Sequence, residues 1–272
     1  MARPLHFSMH LYNRRAGHGS DDGDQGFDPL ALEGDFRQPP PDEGPALVPF
    51  AADFPPSLSA LSAIDVDAPA HAPVLARVHD LEGLGRRLDA ILVLRQALAA
   101  APGDVPLRLC LAGLLEASGE EEDALDELDA GLRAAKGSPA LRVQRGALLG
   151  RLGRHVESEQ ELRSALATAP DSVEAALHLG LSLSRRGRHA DALPVLQRAQ
   201  ALDPGRGEIA FHLGEAWYHT GQVERALQNL MRATELAPRD ARAYKLLGRL
   251  LDRLGRTEEA MVMHRKAREA GN

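Results

Sequence analysis

The sequence predicts an all-α protein, a solenoid of six helix-turn-helix units behind a disordered N-terminal tail. Three observations predict it. Gly85, Gly119, Gly153, Gly187, Gly221 and Gly255 recur at equal intervals along the chain. On both sides of these glycines apolar residues recur at i, i+3, i+4 and i+7, the period of a helix with one stripe turned to a core. The composition is 44% hydrophobic but only 4% aromatic, and a chain rich in Ala, Leu, Arg and Glu forms helices more readily than strands.

Residues 1–70 lack the period. Of the 18 prolines, 11 lie in residues 1–73, among stretches such as "DDGDQGFDPL" and "RQPPPDEGP". The same stretch carries four arginines against nine aspartates and two glutamates. The whole formal charge of −7 therefore belongs to this tail, and the rest of the chain is neutral. A stretch so rich in Pro, Gly and Asp cannot bury enough apolar surface to offset the entropy of ordering, so residues 1–70 are read as disordered. The alternation of Leu5, Phe7, Met9 and Leu11 and the islands Phe27 to Leu32 and Leu47 to Phe54 are the segments in it that could dock on a partner or on the body.

From residue 71 the chain divides into units 71–104, 105–138, 139–172, 173–206, 207–240 and 241–272. In each, a helix runs to the glycine, which accepts the positive φ needed to leave it, and a second helix follows. Five residues after the glycine stands a small residue, Ala90, Ala124, Ser158, Ala192, Ala226 or Ala260; twelve after it stands Ala97, Gly131, Ala165, Ala199, Ala233 or Ala267. Small side chains there let two helices approach closely. Pro102, Pro170, Pro204 and Pro238 stop the second helix, while the second unit has its proline later, at Pro139.

A unit of about 34 residues with this layout resembles the tetratricopeptide repeat. The fifth unit matches best: Leu213, Gly214, Trp217, Gly221, Ala226, Leu230, Ala233 and Pro238 fall on the family's pattern. The early units depart from it. Arg77 and Arg145 replace the family leucine, Val78 and Ala112 the glycine beside it, and Lys136 stands where a proline is expected. In the sixth unit His264 and Arg268 replace the apolar or neutral residues of earlier copies, as suits an end repeat whose outer face meets water. The resemblance covers residues 71–272 and implies a right-handed α-solenoid.

No catalytic pattern emerges. The chain has no Gly-rich phosphate loop, HExxH, CxxC or GxSxG, and its single cysteine, Cys110, excludes an internal disulfide framework and a multi-cysteine metal site. The acidic run 120–123 begins a second helix and complements its dipole. His178 and His212 occupy equivalent places, but Gln144 completes their column and no carboxylate or cysteine repeats beside them, so no metal is expected. His155 and His189 read as solvated residues at the entry to a second helix. No cofactor is expected, and a neutral body with an acidic tail lacks the basic footprint of a nucleic-acid binder. No run of about 18 apolar residues exists, so no membrane span is expected, and the chain is read as cytoplasmic.

Surface remains. The resemblance implies that the first helix of each unit lines a concave groove that holds peptides or helices of partner proteins. Its groove positions map onto Leu177, Leu181, Ser184 and Arg185, then Phe211, Glu215, Tyr218 and His219, then Lys245, Arg249, Asp252 and Arg253, with His79, Leu109, Gly113, Val143 and Ala147 earlier. The groove thus grades from apolar to aromatic to basic. The two asparagines of the family's carboxylate clamp are absent, which argues against the chaperone-tail ligand. The expected function is a non-enzymatic scaffold binding a protein segment with an apolar anchor followed by acidic residues. The alternatives are a regulatory subunit of an enzyme complex and an adaptor whose own acidic tail occupies the groove.

Overall fold

The computed structural model describes residues 71–271, which form twelve α-helices and, among those residues, no strand. The expectations for the N-terminal tail lie outside the described residues. The odd helices are α1 (Ala72–Gly83), α3 (Val105–Ala117), α5 (Pro139–Arg151), α7 (Val173–Arg185), α9 (Gly207–His219) and α11 (Ala241–Arg253). The even ones are α2 (Arg87–Ala100), α4 (Glu121–Ala134), α6 (His155–Thr168), α8 (His189–Leu202), α10 (Val223–Leu236) and α12 (Thr257–Ala270). Each helix packs on its neighbours in sequence, so the body is an α-solenoid of six hairpins.

The local signals that start and stop these helices are visible in their hydrogen bonds. The side chains of Asp104, Ser172 and Asp240 accept amide protons from Leu107, Ala175 and Arg242 at 3.1, 3.2 and 2.9 Å, capping α3, α7 and α11. Each hairpin turn holds its glycine at a φ between 68° and 79°. The amide after that glycine donates back to a carbonyl five residues earlier, as Arg188 does to Leu183 and Gln222 to Trp217, both at 2.9 Å. Where Lys136 replaces the expected proline, Gly137 takes over the exit from α4 with φ 82°.

In the last four hairpins the spacing of the two helices is set by a second glycine. A Cβ on Gly180 would stand 2.4 Å from Leu196 Cδ2, and on Gly214 2.7 Å from Leu230 Cγ. Both leucines are fully buried. Gly180→Val is therefore expected to overpack the fourth hairpin, at a cost of about 1–3 kcal/mol. Gly113, with open space around its Cβ position, supplies the contrast: Gly113→Ala should stabilise α3 by up to about 1 kcal/mol. Thermal denaturation should move in opposite directions for the two variants.

The apolar core has two parts, one from Val78 to Leu149 and one from Leu162 to Ala267, which meet in the third unit. Between them the buried Ser158 hydroxyl donates to the Gly146 carbonyl and accepts from Ser182, both at 2.7 Å. Arg145, at the family leucine position, is tolerated because its guanidinium reaches Asp129 at 2.6 Å and Glu161 at 3.1 Å. Glu159 was not foreseen as core. It is 3% exposed, at the place of Ile91, Leu125 and Leu193, and pairs with Arg163, Arg186 and Arg188. Those three guanidiniums are partly exposed, so removing the carboxylate would release them to water and strand no buried charge. Glu159→Leu, which restores the apolar residue of the other units, is expected to keep or raise the melting temperature. A fall of more than a few degrees in a calorimetric scan would show that the ion cluster holds units three and four together.

Candidate functional site

From α3 onward, successive odd helices touch one another as well as their even partners, whereas the even helices make no comparable contact with each other. The odd helices therefore form the inner, more tightly curved layer. Every residue expected to line the groove sits on that layer, but the residues are not equally accessible.

Leu177 is fully buried and belongs to the core; it fills the space between units and leaves no surface for a ligand. Leu181 is half-buried against the same core. Phe211 is 6% exposed, edge-on to the His212 ring at 4.9 Å and covered by the Arg242 guanidinium 5.2 Å from its centroid. Arg242 stands one repeat beyond Glu208, so the period could have placed it, but its reach over Phe211 has no signal in the sequence.

Glu215 forms the polar centre of this surface. It accepts a hydrogen bond from His212 Nδ1 at 3.1 Å. Burial pushes its carboxyl pKa up, but the bond from His212 and the charges of His212, His219 and Arg185 outweigh that and hold it below the usual range. His219, exposed, stacks on His189 with ring centroids 4.2 Å apart and planes inclined by 13°. This corrects the reading of His189 and His155 as solvated. Both are the first residues of even helices, each is partly buried, and each has a buried Nδ1 without a hydrogen-bond partner among the described residues. Burial lowers the pKa of both, helped by Arg185 and Arg186 at His155 and by His219 at His189. His178 is held down to about 4 by burial and is neutral at physiological pH.

Beyond the histidines the surface turns cationic. Tyr218 is half-buried, edge-on to His219 at 5.3 Å, with the Arg253 guanidinium 4.9 Å from its ring centroid. Lys245, Arg249 and Arg253 are exposed along α11, and neither Lys245 nor Arg249 has an ion-pair or hydrogen-bond partner among the described residues. Asp252 on the same helix accepts from His264 Nε2 at 2.8 Å. The arrangement thus brings Phe211, Glu215, Tyr218 and His219 together with the arginines of α11, and leaves Leu177 in the core. Among the described residues no cluster of three His, Cys, Asp or Glu side chains is placed to hold a metal ion. No helix among them is long and apolar enough to cross a membrane. Cys110 is buried, which with the nearby Glu82 raises its thiol to about 12 and keeps it protonated.

Stacked helical hairpins with an accessible, charged inner layer define a helical-repeat protein-interaction scaffold. The family follows from the sequence: one tetratricopeptide repeat model matches residues 83–152 and 183–250, a second matches 143–207, and the chain belongs to the tetratricopeptide repeat family. No curated protein matches it. Solved structures with the same fold include MamA from Desulfovibrio magneticus RS-1, at 24% identity and TM-score 0.55 over 61% of this chain and 93% of that one. YrrB, described as a TPR protein with an unusual peptide-binding site, has 24% identity and TM-score 0.53 over 65% of this chain and 91% of its own. PilF of Pseudomonas aeruginosa has 19% identity and TM-score 0.63 over 72% of this chain and 88% of its own. These likenesses are of fold.

Proposed function

We propose that this protein is a non-enzymatic scaffold whose inner layer holds a segment of a partner protein, with an apolar side chain seated beside Tyr218 and acidic residues running along α11. The observation that carries the reading is the pair of exposed cations, Lys245 and Arg249, one helical turn apart and without partners among the described residues, on an inner-layer helix whose Arg253 lies over the Tyr218 ring. Arg253 extends the row while resting on Tyr218. An exposed cation row beside an aromatic ring favours a ligand that brings carboxylates and one apolar group. The peptide-binding site in the description of YrrB is consistent with this use of the fold.

The test is fluorescence anisotropy with two synthetic peptides, one with a single tryptophan followed by four glutamates and one with lysines in their place. Selective binding of the glutamate peptide that weakens as salt rises is the expected result. Equal binding of the two, or no salt dependence, would remove the cation row from the site. A regulatory subunit of an enzyme complex would use the same face, so it differs in the partner and not in the site.

A further inference from the structure

α2 is apolar on two sides. Ile91, Leu94 and Leu98 are buried in the core, while Leu88 and Leu92, one turn apart and turned away from it, are 72% and 54% exposed. Leu84, in the turn just ahead of α2, is 71% exposed. In the second unit the places of Leu88 and Leu92 hold Glu122 and Asp126, and in the fifth Glu224 and Gln228. Single aliphatic side chains in water are ordinary, but three at successive turns, beside polar neighbours, mark a contact surface.

Two contacts fix what lies beside them. The Arg87 guanidinium donates to the Ala117 carbonyl at 2.8 Å, where α3 ends, and Arg95 reaches Glu127 of α4 at 3.9 Å. Leu88 and Leu92 lie between these anchors on one side, and the acidic run 120–123 with Asp126 lies between them on the other. Glu120, Asp123 and Asp126 are exposed, and their carboxylates have no ion-pair or hydrogen-bond partner among the described residues. The cations nearby are engaged: Arg86 with Asp89 at 2.7 Å, Arg87 with the Ala117 carbonyl and Arg95 with Glu127. The dipole of α4 accounts for acids in its first turn, but not for Asp126 in its second. The leucines are thus bordered by carboxylates that nothing neutralises.

We propose that this outer face of the first two units binds an amphipathic helix of a partner protein. Its apolar stripe lies on Leu84, Leu88 and Leu92, and its lysines or arginines meet Glu120, Asp123 and Asp126. The charge argues against a membrane as the occupant, because the same carboxylates repel anionic headgroups. The face belongs to even helices, away from the proposed ligand surface on α9 and α11, and leaves the inner layer free for a second segment.

The experiment is fluorescence anisotropy on the full chain with a labelled helical peptide of about 18 residues. The peptide carries leucines at every third or fourth position with lysines flanking them; a second has glutamates for the lysines. The lysine peptide should bind at least about tenfold more tightly than the glutamate one. Leu88→Asp with Leu92→Asp should weaken it by about tenfold or more and leave the melting temperature within about 2 °C of the parent, since both side chains are exposed. Asp123→Lys with Asp126→Lys should remove the preference between the peptides. Lys245→Ala with Arg249→Ala, on the inner layer, should leave the lysine peptide within about threefold, which separates this face from the proposed ligand surface. Equal binding of the two peptides, or an affinity that the leucine changes do not move, would overturn the proposal. So would vesicles of phosphatidylserine bound by the parent and not by the leucine variant, which would assign the face to a membrane. A molecular mass that falls to the monomer only in the leucine variant would assign it to a second copy, with the same consequence.

Discussion

Phe211→Ala should lower the melting temperature by roughly 10 °C. The ring is 6% exposed, joins the larger core part and is roofed by Arg242. Truncating a buried phenylalanine costs about 3–5 kcal/mol, through lost burial and the cavity it leaves. A body of this size loses about 2–4 °C per kcal/mol. The position alone suggested a ligand anchor, which would give the opposite pattern: affinity lost and stability kept. Measuring both on one sample separates the two roles. We expect the folded variant to bind the tryptophan–glutamate peptide within about threefold of the parent, less than the loss of a binding hot spot. A melting temperature within about 2–3 °C of the parent, less than one kcal/mol would move it, with affinity lost about tenfold or more, would make Phe211 an anchor after all.

That reversal shows where the sequence was legible and where it was not. Six glycines at a fixed spacing are a direct record of six left-handed turns, because few other residues hold that φ without strain. The period therefore gave hairpins and turns. It also gave the helix that each groove residue sits on. It could not give the angle at which a side chain leaves the helix relative to its neighbours, and a small rotation about the helix axis separates Leu177 in the core from Leu181 beside it.

Partners distant in sequence were illegible for a different reason. Glu159 reads as a surface charge until Arg186 and Arg188, far along the chain in the next unit, are seen to close on it. His189 and His219 belong to different units, and nothing in their spacing announces a stacked pair. Such contacts arise where one unit departs from the repeat. A periodic reading averages these departures away, yet they distinguish one member of a repeat family from another.

Reversing charge at Lys245 and Arg249 together should weaken binding of the tryptophan–glutamate peptide by about 10- to 100-fold, and flatten the dependence of its affinity on salt. Each cation is exposed, without a partner among the described residues, and free to pair with a ligand carboxylate. A hydrogen bond of this kind contributes about 0.7–1.4 kcal/mol at a partly solvated surface, so two account for roughly 1.4–2.8 kcal/mol. At about 1.4 kcal/mol per factor of ten, that is the range stated. Stability should hardly move, since neither side chain has an ion-pair or hydrogen-bond partner to lose among the described residues, and exposed substitutions usually shift it by less than about 0.5 kcal/mol. The double variant should also gain affinity for the lysine peptide, a change of sign that general damage to the fold cannot produce. Arg253→Glu is a weaker probe, because the guanidinium also covers Tyr218 and its loss would open the ring to solvent. If the double variant binds both peptides as the parent does at low salt, the carboxylates of the partner lie elsewhere on the inner layer, and Arg185 beside Glu215 becomes the next cation to reverse.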